Sequence, residues 1–89
     1  MITMVTEKRL LNYKEVQAQY DGHWVLFDKR GFPPEKDIGY VVAYGDETDE
    51  DWNALSDIQS YEYDGKVLLM KGWASKDGDI YNSSILNIV

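Results

Sequence analysis

Covalent catalysis needs a Ser, Thr or Cys beside a base, and this chain offers few ways to build that pair. It has no cysteine and one histidine, His23, set between Gly22 and Trp24. A histidine between a helix-ending glycine and a strand-starting tryptophan reads as a surface or supporting residue, because a base must also reach a nucleophile. No nucleophile elbow, phosphate loop or dinucleotide-binding pattern occurs. Carboxylates are plentiful, 16 in all. Paired carboxylates do acid–base work when an apolar neighbourhood raises the pKa of one. None has such a sequence neighbourhood; Asp37, between Lys36 and Ile38, is no exception. Asp46-x-x-Asp49-x-Asp51 and Asp77-Gly78-Asp79 offer hard oxygen ligands, but neither has the spacing of a calcium-binding loop. The residues point away from an enzyme, and no catalytic residue, metal ligand or cofactor is assigned.

Charge asymmetry carries more information. The formal net charge is −7 and the pI about 4.4. From Asp37 to Gly65 there are nine acids (Asp37, Asp46, Glu47, Asp49, Glu50, Asp51, Asp57, Glu62, Asp64) and no Lys or Arg. Lys8, Arg9 and Lys14 gather near the other end. Nucleic-acid binding rests on cations that neutralise phosphates, so an acidic chain argues against it, and the same repulsion disfavours anionic membranes. The plain reading of the acids is a solvated face that keeps the protein soluble. The sharper reading is a docking surface for a basic protein partner, with electrostatics speeding encounter. Its candidate residues are Asp46, Asp49, Glu50 and Asp51, with the aromatics Tyr61 and Tyr63, which share a face, and Trp73, which falls on the alternate set with Val67 and Leu69. A homodimer is compatible with such a module. The competing hypothesis is a small-ligand binder or enzyme using an aromatic pocket near Trp73 and Tyr81. A third is a structural unit of a larger assembly.

The elements that must position these residues follow from pattern. Eighty-nine residues make one domain, 1–89, with a thin core. Without cysteine no disulfide reinforces it, and three Trp, seven Tyr and two Phe supply apolar area instead. Residues 1–11 alternate weakly and read as an edge strand or a frayed terminus. Asn12 and Glu15 complete a capping box, and Leu11 and Val16 a hydrophobic staple. They start a helix over 13–21 that Gly22 ends. Residues 24–29 form a strand, 31–37 a proline-bearing loop, and 38–44 the best strand in the chain, antiparallel to 24–29. Thr48 caps a second helix whose first turn holds Asp49, Glu50 and Asp51 against the positive end of the dipole. Trp52, Leu55 and Ile58 form its inward stripe.

The last third reads as a meander. Asp64-Gly65 and Asp77-Gly78 are hairpin signals, which makes 66–75 a central strand, sets Tyr61 opposite Leu68 and puts Tyr61 and Tyr63 on one face. Alternatively, the second helix continues to Tyr63. The expected fold is α+β: an antiparallel sheet of four or five strands with two short helices packed on one face. Its core takes Tyr13, Val16, Tyr20, Val25, Phe27, Val41, Ala43, Trp52, Leu55, Leu68 and Met70.

Tyr13 through Tyr20, then Gly22-His-Trp-Val25, then Tyr40-Val-Val-Ala-Tyr-Gly-Asp46 resembles a family of small prokaryotic domains of unknown function. That pattern is a short helix, a Gly-x-Trp-Val strand and a Val-Val-Ala-x-Gly-Asp strand leading into a helix. It covers about residues 13–55, and the 31–37 connection is longer than the family's tight turn. The resemblance implies a fold fragment and no activity. No signal-peptide core opens the chain and no run approaches about 18 apolar residues, so the expected compartment is the cytoplasm.

Overall fold

A computed structural model describes residues 1–33, 35–61 and 69–77. Within them the order is β1 (Thr3–Met4), β2 (Leu11–Asn12), α1 (Tyr13–Gln19), β3 (His23–Asp28), β4 (Ile38–Gly45), α2 (Asp49–Tyr61) and β5 (Leu69–Ala74). The strands form one open antiparallel sheet, β1-β4-β3-β5, with β2 also paired to β4. The α+β class, the antiparallel sheet and the two helices agree with the sequence reading. Residues 1–12 contribute two short pieces of edge strand, opposite Ala43–Tyr44 and Ile38–Gly39.

The helices, however, lie on opposite faces of the sheet. Successive strand side chains point to opposite faces. Val25 and Phe27 pack with Leu11, Val16, Val41 and Ala74, and with Tyr13 and Tyr20 of α1. Leu26 packs with Ala43, Leu55 and Leu69, and with Ile58 of α2. Val25, Leu26 and Phe27 all have no exposed surface, so β3 requires cover on both sides. Burying each such side chain contributes about 1.5–3 kcal/mol, more than an uncovered sheet face allows. A bulge makes the two faces fit: Leu26 pairs with Ala43 and Phe27 with Val41. Val42 is the extra residue between them. It packs on the α2 side, and its carbonyl accepts the Val5 N–H at 2.9 Å.

Local signals explain the helix ends. Asn12 Oδ1 accepts from the Glu15 N–H at 2.8 Å, and Glu15 Oε1 accepts from the Asn12 N–H at 3.0 Å. That is the expected capping box. α1 stops at Gln19 rather than residue 21, with Tyr20 as its cap. A reverse turn follows, closed by the His23 N–H donating to the Tyr20 carbonyl at 3.0 Å. Gly22 sits at its third position with φ +81°, a conformation that favours glycine.

α2 starts as expected: Thr48 Oγ1 accepts the Asp51 N–H at 3.1 Å and its carbonyl accepts the Trp52 N–H at 3.1 Å. It then runs through Tyr61, so Tyr61 is helical and not part of a strand. The reason is the buried stripe, which is Asp51, Leu55 and Gln59, one step round from the expected Trp52, Leu55 and Ile58. It extends inward contact one residue beyond Ile58, and Gln59 Nε2 donates to the Leu69 carbonyl at 3.0 Å. The Asp64-Gly65 corner, Leu68 and everything after Asp77 lie outside the described residues. β5 pairs along its whole length with β3, Trp24 opposite Trp73 and Phe27 opposite Met70. Of the expected core, Val16, Val25, Phe27, Val41, Ala43 and Leu55 are buried, and Tyr13, Tyr20 and Met70 pack beside them.

Gly39 is a point of close approach in the sheet. A Cβ there would come within 2.5 Å of the Asp28 carbonyl oxygen and 2.9 Å of the Phe27 ring. Gly39→Ala is therefore expected to lose about 1–3 kcal/mol of unfolding free energy in a urea titration, and an unchanged midpoint would contradict the close approach. In the same assay Asn12→Ala is expected to lose about 1 kcal/mol through its cap; no loss would mean that the capping box does not hold α1.

Candidate functional site

Three places bring polar chemistry together. The first is the start of α2. Asp51 is 1% exposed, although its neighbours Asp49 and Glu50 are exposed. Its Oδ1 accepts from the Met1 ammonium at 2.7 Å and its Oδ2 from the Asp46 N–H at 2.7 Å. Gly45 lets the carboxylate in: a Cβ there would meet Asp51 Cβ at 2.9 Å. The Met1 ammonium and then the Asp46 N–H hold the Asp51 carboxyl below its ordinary 3.8, and desolvation opposes them. The ammonium is correspondingly raised above its ordinary 8.0, mainly by its hydrogen bond to Asp51. His23 sits next to this corner. Its Nδ1 is 3.2 Å from the Gly45 carbonyl oxygen, a contact that suits the tautomer with its hydrogen on Nδ1. Asp46 Oδ1 is 3.5 Å from the same nitrogen.

The second place is a tryptophan ridge on the α2 face. Trp24 lies between Trp52, at 4.5 Å between ring centroids, and Trp73, at 4.9 Å. All three rings are partly exposed. Lys71, on the same strand face as Leu69 and Trp73, is buried, with Nζ 3.7 Å from the Trp52 ring centroid. That contact is a cation–π interaction. Nζ also donates to Ser56 Oγ. Burial pulls the Lys71 pKa down, and the Asp57 charge works against that. The Ser56 hydroxyl donates to the Trp52 carbonyl at 2.9 Å. The Ser56 hydroxyl thus links the Lys71 amine to the helix backbone.

The third place is a half-open groove of about 200 Å³ on the α1 side. Val5, Leu11 and Val41 form its floor, and Glu7, Arg9, Gln19 and Tyr20 its rim.

The structure gathers part of the candidate set. Asp46, Asp49 and Glu50 are exposed around the start of α2. Asp51 is the correction: it faces inward, because helical spacing puts it in line with Leu55 and Gln59. Tyr61 is 88% exposed at the end of α2; Tyr63 lies outside the described residues. Trp73 packs edge-on against Trp24, and Tyr81, the other half of the expected aromatic pocket, lies outside the described residues. Sequence reasoning missed Lys71 and the groove. Lys71 had a signal, a lone cation in the apolar run Val67-Leu-Leu-Met-Lys-Gly-Trp73; the groove had none, because its walls come from four separate elements and connections. Among the described residues no group of three or more His, Asp or Glu is placed to hold a metal ion, and no helix is long and apolar enough to cross a membrane. No protein-family model matches the chain, and no match exists among curated proteins or solved structures.

The Asp51 carboxyl has a lower pKa folded than unfolded. The stability it lends is therefore present above 3.8 and is lost as pH falls through the folded value. Asp51→Asn is expected to lower Tm at pH 7, and its deficit relative to the parent is expected to shrink only below pH 3.8. Parallel Tm-against-pH curves down to acid would contradict the assignment.

Proposed function

We propose that this chain is a non-enzymatic interaction module whose acidic α2 face receives a basic protein partner. The observation that carries the reading is the adjacency of the tryptophan ridge and the exposed acids. Asp49 precedes Trp52 by three residues on α2, which places the two side by side on the helix surface. Asp57 acts electrostatically on Lys71, whose ammonium stands on the Trp52 ring. Carboxylates thus flank a row of partly exposed indoles. Tryptophan is enriched among residues that dominate binding energy, and an indole face stacks well on Arg or Lys. The surrounding acids speed encounter with a cationic surface and disfavour partners of like charge. Asp46, Asp49 and Glu50 are the acids available for this role, and Trp52 and Trp73 the aromatics; Asp51 is committed inside.

The test is a double charge reversal, Asp49→Lys with Glu50→Lys, which spares buried Asp51. Both positions are exposed, so the variant is expected to keep the parent's circular dichroism spectrum. Partners cross-linked in the cells that express the protein are expected to fall about tenfold, with the residual binding losing its salt dependence. Equal recovery by the folded variant and the parent would contradict the proposal.

A further inference from the structure

The groove on the α1 side lies across the sheet from the acidic helix and is independent of the function proposed for that face. It has three properties that belong together. Its floor is aliphatic: Leu11 and Val41 are 4% and 5% exposed, with Val5 beside them. Its rim carries one anion and one cation, Glu7 and Arg9, both from the segment between β1 and β2. Neither has a hydrogen bond or ion pair among the described residues, and they do not pair with each other. The phenol of Tyr20 also lines the groove, and its hydroxyl likewise has no hydrogen-bond partner among the described residues. The Tyr20 ring is fixed from behind by Tyr44, 5.0 Å away between centroids.

Size narrows the ligand. A volume of about 200 Å³ is below the roughly 300–1,000 Å³ typical of pockets for drug-sized ligands, so the occupant has few heavy atoms. Opposite charges over an aliphatic floor call for a molecule that carries both charges and a short apolar body. From this we infer that the groove is a binding site for a free α-amino acid with a branched aliphatic side chain. The side chain lies on Val5, Leu11 and Val41. Arg9 and the Tyr20 hydroxyl donate to the carboxylate, and Glu7 accepts from the ammonium. Arg is suited to the carboxylate because its planar fork donates two parallel hydrogen bonds. Burial raises the Tyr20 pKa, with the Arg9 charge opposing, so the phenol stays a proton donor at neutral pH.

The experiment is an amide-shift titration of the whole chain with L-leucine, with isovalerate, isoamylamine and glycine as truncated probes. Isovalerate lacks the ammonium, isoamylamine lacks the carboxylate, and glycine lacks the apolar body. The expected result is saturable shifts confined to residues 5–11, 19–20 and 41, with a Kd of about 1 mM or tighter and each truncated probe at least about tenfold weaker. Arg9→Gln, an exposed substitution, is expected to weaken leucine about tenfold with the other amide shifts unmoved. The inference is overturned if leucine gives no saturable shift, if the shifts fall outside the groove, if isovalerate or isoamylamine binds as well as leucine, or if Arg9→Gln leaves leucine affinity unchanged.

Discussion

Everything in this molecule follows from burying one strand on both of its faces. Val25, Leu26 and Phe27 are consecutive and all inaccessible to solvent. In a pleated strand, neighbours point in opposite directions, so no single layer of helices can cover them. The chain answers with α1 on the Val25–Phe27 side and α2 on the Leu26 side. It flanks β3 with β4 and β5, so that its backbone is hydrogen-bonded along both edges. The extra residue at Val42 keeps Val41 and Ala43 on the faces where each is needed. Three thin layers result, and each core half rests on few large side chains, as expected for a domain with so much surface for its volume.

That economy forces charged groups inward, and Asp28, Lys29, Asp51 and Lys71 each meet a partner. Asp51 enters at the glycine that β4 ends on, and meets an ammonium and a backbone N–H. Lys71 is carried in by strand alternation between Leu69 and Trp73, and finds a hydroxyl and an indole face. Asp28, at the end of β3, accepts from the Arg30 backbone and from both Nε and a terminal nitrogen of its guanidinium, at 2.8, 3.1 and 3.0 Å. Lys29 donates to the Tyr13 hydroxyl at 3.1 Å, which in turn donates to the Met70 sulfur at 3.2 Å. Removing one partner from such a site would leave a buried charge uncompensated. The outer acids, Asp46, Asp49 and Glu50, stay exposed.

Short-range signals in the sequence translated well. The Asn12–Glu15 box, the Thr48 cap and the pairing of 24–29 with 38–44 each depend on residues within a turn or a loop of one another, and each is present. The helix placement did not translate, although Trp24-Val-Leu-Phe27 carried the clue: an unbroken apolar run marks a strand covered on both faces, whereas the Val41–Ala43 alternation invited a one-sided reading. Asp51 was missed for a related reason. A run of acids reads as solvent-facing, yet a helix turns each position by a fixed angle, and residue 51 comes round with 55 and 59. The groove needed the sheet register, the path of residues 5–10 and the end of α1 together, and no local pattern encodes that combination.

The claim that the helices cover opposite faces is most directly tested by methyl-to-methyl and methyl-to-aromatic nuclear Overhauser contacts in solution. Val16 is predicted to show contacts to Val25 and Phe27 and none to Leu26, while Leu55 shows contacts to Leu26 and Ala43 and none to Phe27. Contacts from Val16 and Leu55 to the same set of β3 side chains would put both helices on one face and contradict the account.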